Sequence, residues 1–207
     1  MIRYAITRGE KSRPREALLG DARRWAAAGL EYVQLREKWM EAGELVGVAA
    51  AMMAIFREFG GRTRLLVNCR ADVAVAACAD GVHLTAGTDE LTPEQGRGVF
   101  AAGGREAVVS VSCHSVEEVR RAREGGADLI VFGPVFEKRV EGEVVVAGVG
   151  LGLLAEACEV AGGVPVVALG GVTEENVARC IESGAAGVAG IRLFTEGVRG
   201  GRAVSVC

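Results

Sequence analysis

Short runs of β-branched and aliphatic residues alternate along the whole chain with longer segments whose apolar positions recur at helical spacing. The runs RYAIT (3–7), YVQLR (32–36), RLLVN (64–68), GVHL (81–84), AVVSVS (107–112), LIVFG (129–133), VPVVALG (164–170) and GVAGI (187–191) predict eight strands. Alanine-rich amphipathic segments fill the gaps and predict helices. PREALLGDARRWAAAG opens on Pro14 in a first-turn position, and SVEEVRRAREGG carries Ser115 as a cap with Glu118 three residues on. TEENVARCIESG repeats that arrangement with Thr173 and Asn176, and Gly126 and Gly184 close two of these helices.

Strands that alternate with helices build a parallel sheet, because each crossover returns the chain to the same end. Eight such units in 207 residues favour a single-domain (β/α)8 TIM barrel spanning 1–207 over an open doubly wound sheet of five or six strands. No G-x-G-x-x-G follows the first strand, which removes the dinucleotide-binding fingerprint. Two stretches depart from the repeat. Residues 134–150 are too many for an ordinary strand-to-helix turn and predict a loop over the mouth of the barrel. The C-terminal FTEGVRGGRAVSVC has three glycines where the last helix belongs and predicts a short or irregular one.

Composition narrows the function classes. Half the residues are hydrophobic and few are aromatic, as suits tightly packed parallel strands under small-residue helices. A formal charge of −3 gives no electrostatic reason to expect nucleic acid. No apolar run approaches the length of a membrane span, and MIRYAITRGE lacks the features of a secretory signal, so a cytoplasmic protein is expected. Six cysteines (69, 78, 113, 158, 180 and 207) form no C-x-x-C pair and are expected to be reduced core fillers. With two histidines and no H-x-x-x-H, no zinc site is expected. Exposed barrel helices leave a homo-oligomer open.

In TIM barrels catalytic groups stand at the C-terminal ends of the strands, and phosphate is commonly held after the seventh and eighth. ALGGVTEEN ends the seventh, where Gly170 and Gly171 let the backbone approach an anion ahead of the helix begun by Thr173. AGIRL ends the eighth, adding the N–H groups of Ile191 and Arg192 and a guanidinium. QLREK ends the second, where alternation places Gln34, Arg36 and Lys38 on one side. Two cations aimed into one mouth suggest a phosphate or pyrophosphate ligand. Asn68, Ser112 and His114 supply polar groups for a heteroaromatic ring. Each has a plainer alternative: the glycines as a tight turn, QLREK as a charged edge, His83 as a hydrogen-bonded core residue.

YAIT, QLREK, the run from VNCRAD to ADGVHL, VSVSCHSVEEVRRAREGGADLIVFGPVF and PVVALGGVTEENVARCIESGAAGVAGI together resemble the thiamine phosphate synthase and TenI superfamily. The likeness runs in order from Tyr4 to about Phe194. It implies a thiamine-biosynthesis barrel that binds a thiazole phosphate or thiamine phosphate. In the synthases an aminopyrimidine methyl pyrophosphate loses pyrophosphate, assisted by Mg²⁺ and cations, and a thiazole phosphate captures the pyrimidine methyl cation. Carried onto this chain, Gln34, Arg36, Lys38 and Asn68 would face the pyrophosphate and pyrimidine. Ser112 would hold the pyrimidine, and Gly171, Ile191 and Arg192 the thiazole phosphate.

The chain departs from that pattern where the metal would bind. The first magnesium aspartate falls on Cys69 and the second on Thr88, with Asp89 one residue on as a substitute. After the sixth strand, FEKRVEGEV offers Lys138 and Arg139 as its cations. These departures predict a chain nearer the TenI branch, with thiazole tautomerase-type isomerase chemistry, no cofactor, and His114, Glu137 and a Cys69 thiolate as candidates for proton transfer. The histidine of that branch after strand six is Pro134 here. The alternatives are a working synthase, a transferase in which Asp89 recruits Mg²⁺, and a non-catalytic thiazole or thiamine phosphate binding regulator.

Overall fold

The computed structural model describes residues 1–87, 89–140 and 143–194. In chain order the strands are β1 (Ile2–Ile6), β2 (Tyr32–Leu35), β3 (Arg64–Asn68), β4 (Gly81–Thr85), β5 (Val108–Cys113), β6 (Leu129–Phe132), β7 (Lys138–Val140), β8 (Glu143–Val146), β9 (Val166–Ala168) and β10 (Gly187–Gly190). The helices are α1 (Arg15–Ala27), α2 (Ala42–Glu58), α3 (Ala71–Ala76), α4 (Pro93–Ala102), α5 (Val116–Glu124), α6 (Gly150–Val160) and α7 (Val177–Glu182).

All strands but β7 and β8 close into one parallel barrel in the order β1-β10-β9-β6-β5-β4-β3-β2, with helices outside. The eight expected strands are all there, and the expected TIM barrel is the observed fold. Alternation along each strand divides the apolar residues into two cores. Tyr4, Ile6, Leu66, Leu129, Val131, Val167 and Ala189 fill the barrel. Their neighbours, among them Val33, Leu65, Val109 and Ile130, face the helices and bury Trp25, Met52, Phe56, Phe100 and Leu154.

The closed end is held by a repeated device. Glu31, immediately before β2, accepts the Arg3 N–H of β1 at 2.8 Å. Asp80, immediately before β4, accepts Leu65 N–H of β3 at 2.8 Å, and Asp128, immediately before β6, accepts Val109 N–H of β5 at 2.7 Å. Each carboxylate satisfies a strand-end amide that the ladder leaves over. The corresponding position before β10 is Ala186, which has no such oxygen.

Helix α1 carries a fully buried carboxylate. Asp21 is paired with Arg13, in the connection from β1, and with Arg24 one turn further along the helix. Among the described residues no helix is long and apolar enough to cross a membrane.

Several local expectations shift. Pro14 is the N-cap of α1, one residue before the first turn. Ser115 Oγ accepts Glu118 N–H at 3.2 Å as expected, but the Glu118 carboxylate takes the N–H of His114 instead of closing a capping box. That box forms on α4, where Thr92 and Gln95 exchange both bonds. α7 begins at Val177, but the turn leading into it starts at Thr173, whose carbonyl accepts Asn176 and Val177 N–H. The Thr173 N–H donates to Asn176 Oδ1 at 2.9 Å, the reciprocal half of a capping box. The segment 134–150 is not a featureless loop: β7 and β8 pair antiparallel within it, and β8 is a run of strand formers, EVVV. The expected irregular last helix falls in 195–207, outside the described residues, as does Thr88.

Candidate active site

The floor of the open end is a hydrogen-bonded cluster inside the barrel. Ser110 Oγ lies 2.7 Å and Tyr4 Oη 3.1 Å from Nδ1 of His83, joining β1, β4 and β5. Burial drives the His83 pKa down to about 3, and the nearby Arg36 guanidinium pushes the same way, so the imidazole is neutral. Burial also raises the Tyr4 phenol, so it stays a donor. His83 is thus the hydrogen-bonded core residue of the plainer alternative, and it sits directly under the mouth.

Above this floor Gln34 Nε2 donates to Asn68 Oδ1 at 2.9 Å, bringing the ends of β2 and β3 together as alternation predicts. Ser112, at the end of β5, lies half-buried with its hydroxyl 3.5 Å from the Leu84 carbonyl. Arg36 anchors its N–H to Thr7 Oγ1 at 2.8 Å and keeps its guanidinium close enough to act on His83. Lys38 lies past the end of β2, where alternation no longer applies, and is exposed. It reaches the same corner through the turn, close enough to act on the Cys69 thiol.

Between those two cations is a residue that sequence reasoning missed. Glu37 is buried and accepts Gly9 N–H at 3.2 Å and Trp39 Nε1–H at 3.0 Å, tying the exits of β1 and β2 together. The only signal was a charge in QLREK on the face opposite the chosen set.

Cys69 takes a left-handed backbone, φ 53°, a conformation uncommon outside glycine, asparagine and aspartate. Burial raises its thiol to about 11, the neighbouring Glu90 carboxylate adds to that, and Lys38 offsets only part. The sulfur is therefore protonated near neutrality, which removes the physical basis for a Cys69 thiolate. The carboxylate beside it is Glu90, the second missed residue; Asp89 is exposed. Mg²⁺ takes oxygen donors, whereas this corner offers a protonated sulfur and one near carboxylate. Mg²⁺ is commonly held by one or two carboxylates together with substrate phosphates, and in this corner the carboxylate that could serve is Glu90.

On the far side of β1, the turn after β9 and the end of β10 form a main-chain cradle. Gly170 and Gly171 have φ of 95° and 63°. Their carbonyls accept Phe136 N–H at 3.0 Å and Asn176 Nδ2–H at 2.9 Å, whereas the N–H groups of Gly170, Gly171 and Val172 have no acceptor among the described residues. Unsatisfied amides at a half-exposed turn are a ready anion site. Ile191 and Arg192 follow β10 at the same rim, both exposed.

The glycines answer to packing as well. A side chain on Gly171 would begin 2.7 Å from Phe136 Cβ and 3.0 Å from the Glu137 carbonyl oxygen. Gly171→Ala therefore meets both a collision and a left-handed backbone, and is expected to lower unfolding free energy by about 1–2 kcal/mol. Urea unfolding checks this; a change below a few tenths would mean that the turn relaxes freely.

His114 follows β5 at the open end, and one ring nitrogen is engaged by the main chain. Its Nδ1 is hydrogen-bonded to the Gly133 carbonyl, which leaves it anchoring the exit of β6. Glu137 lies exposed at the start of the 134–150 segment, and nothing is described of the Lys138 and Arg139 side chains. The site thus gathers Gln34, Arg36, Lys38, Asn68, Cys69 and Ser112 on one side and Gly170, Gly171, Ile191 and Arg192 on the other.

Residues 3–194 match the family model described as thiamine monophosphate synthase. A thiamine-phosphate synthase of Halalkalibacterium halodurans is 34% identical over 182 residues, covering 88% of this chain and 82% of that protein. A putative thiamine-phosphate synthase of Geobacter sulfurreducens is 40% identical, covering 79% and 72%. The solved thiamine phosphate pyrophosphorylase of Pyrococcus furiosus superposes with a TM-score of 0.75 at 26% identity, covering 92% of this chain and 85% of that one.

The first two are synthases by name and the third a thiamine phosphate pyrophosphorylase, and that overturns the expectation of a chain nearer the TenI branch. Cys69, Thr88 and the FEKRVEGEV loop are changes at a few loop positions, whereas the likeness to the synthases is carried by nearly every strand. On the strength of a match over almost its whole length, this chain belongs to the thiamine monophosphate synthase family, an enzyme family.

Proposed function

We propose that this chain is a thiamine phosphate synthase, joining an aminopyrimidine methyl pyrophosphate to a thiazole phosphate with release of pyrophosphate. What supports this reading most is the set of unsatisfied Gly170, Gly171 and Val172 amides, placed where a ligand phosphate would be held. The bond from the pyrimidine methylene to the pyrophosphate oxygen breaks, and its electron pair leaves with the oxygen. The thiazole nitrogen lone pair then forms the new carbon–nitrogen bond to the methylene cation.

Each subsite has a task in that sequence. Gln34, Asn68 and Ser112 present amide and hydroxyl groups to the pyrimidine, while the cradle with Ile191 and Arg192 fixes the thiazole by its phosphate. Arg36 and Lys38 stabilise the departing polyanion. A magnesium ion would be held by Glu90 together with oxygens of the substrate pyrophosphate, and would supply positive charge to the leaving group.

The test is to mix purified protein with both substrates, with and without Mg²⁺, and follow thiamine phosphate and pyrophosphate together. Equimolar formation of the two is expected. If neither appears at high enzyme concentration under any divalent-ion condition, the reading is wrong.

A further inference from the structure

The turn that carries the cradle has little to hold it in place from within. Its first two residues are glycines, and its own amides are unbonded among the described residues. What fixes it comes from outside. Asn176 grips the Gly171 carbonyl from the α7 side, and residues 134–137 lie along the other side as a strap. Val135 N–H donates to the Leu169 carbonyl at 2.8 Å and Phe136 N–H to that of Gly170 at 3.0 Å, so the strap runs as an irregular strand beside the turn.

The strap is pinned at several points. His114 holds the Gly133 carbonyl at its start, and the Pro134 and Val135 carbonyls accept the N–H groups of Val149 and Gly150 at 2.9 Å each. Its last apolar side chain, Phe136, puts its Cβ into the space that a side chain on Gly171 would occupy. The Phe136 ring is covered in turn by Arg179 of α7, whose guanidinium carbon lies 5.7 Å from the ring centre. Among the described residues no carboxylate pairs with Arg179. An exposed arginine that forgoes an ion pair and lies on a ring is placed by the ring.

We propose that Arg179 is a positioning residue for the phosphate cradle: stacked on Phe136, it clamps the strap against Gly171 and so fixes the direction of the unbonded amides. This rests on the phosphate reading of the cradle given under Proposed function. Asn176 and Arg179 stand three residues apart on neighbouring turns, so the start of α7 grips both the turn and the strap that covers it. A clamp of this kind adds nothing to the chemistry at the methylene carbon. It acts on how well the phosphate is held.

The test compares the full chain with Arg179→Gln, Arg179→Lys, Phe136→Leu and the Arg179→Gln/Phe136→Leu pair. Affinity for inorganic phosphate and for thiazole phosphate is measured by calorimetry, beside kcat and KM for each substrate. Arg179→Gln and Phe136→Leu are each expected to weaken both anions by about three- to fivefold, the scale of one exposed cation–ring contact. The pair should be no worse than either alone, because both break the same contact. Arg179→Lys is expected to recover part of the loss. KM for the thiazole phosphate should rise with little change in kcat or in KM for the pyrimidine substrate.

Additive losses, or a loss with Arg179→Gln and none with Phe136→Leu, would reduce Arg179 to a distant charge and overturn the proposal. Variants that bind as tightly as wild type, even with a lowered melting temperature, would overturn it as well. If wild type itself binds neither anion, the cradle reading fails and takes the clamp with it; if only the variants are unaffected, the clamp fails alone.

Discussion

Asp21→Ala is expected to destabilise the protein by about 3–5 kcal/mol, a large share of the 5–15 kcal/mol that holds a typical domain together. The carboxylate is fully buried in α1 and pairs with Arg13 and Arg24. The two arginines are not equivalent. The Arg24 side chain is 53% exposed and can return to water, whereas that of Arg13 is only 20% exposed and would be left in place without its counter-charge. Arg24→Met should therefore cost well under half as much, since a solvent-facing partner of an ion pair adds little. Arg13 belongs to the connection that leaves β1 at the open end, so the same substitution should also loosen the mouth. Urea unfolding of the two variants settles the ranking; an Asp21→Ala loss near or below 1 kcal/mol would mean that the three side chains make no buried pair.

Acid is the second large lever. His83 is held neutral with a pKa of about 3, against 6.5 in an unfolded chain. Between those values the unfolded chain binds a proton that the folded one refuses, so stability rises with pH through the window and falls as pH drops below about 6.5. At 1.36 kcal/mol per unit, this one group should remove about 2 kcal/mol by pH 5 and about 3 kcal/mol by pH 4. The other histidine, His114, is exposed, which makes His83 the group to test. His83→Asn keeps an amide where Nδ1 now meets Tyr4 and Ser110 but cannot titrate. Its unfolding free energy should change less with pH between 7 and 5 than that of wild type. Equal slopes would show that the imidazole is not the proton acceptor.

Much of this was readable before any coordinates, and the reasons differ by residue. Gln34, Asn68 and Ser112 obey the two-residue period of a strand, so once the strands are placed their side is fixed. Lys38 lies beyond the last strand residue and comes near Cys69 for a different reason, the path of a turn. Glu37 and Glu90 stayed hidden because their roles depend on what crosses from other elements: the Gly9 amide in one case, the Cys69 thiol in the other. The anchoring of His114 was hidden for the same reason, since nothing in its own segment announces the Gly133 carbonyl that holds its ring. The β7–β8 pair was passed over because a count of strand–helix units has no place for a hairpin, although EVVV is a plain strand former. The two cradle glycines were found for one of their two reasons. Their freedom at positive φ is legible in any GG pair, while the pressure of Phe136 on Gly171 requires the fold.

The acids that precede β2, β4 and β6 also have a mechanical meaning. Falling on alternate strands, they divide the wall into four quarters, three of them stapled at the base by a carboxylate and the last, at Ala186, stitched by main chain only. That unstapled quarter is β9 and β10, the pair whose opposite ends carry the amides for the anion. Under the proposed function, the ligand's phosphate would sit above the one quarter of the wall whose base carries no side-chain staple.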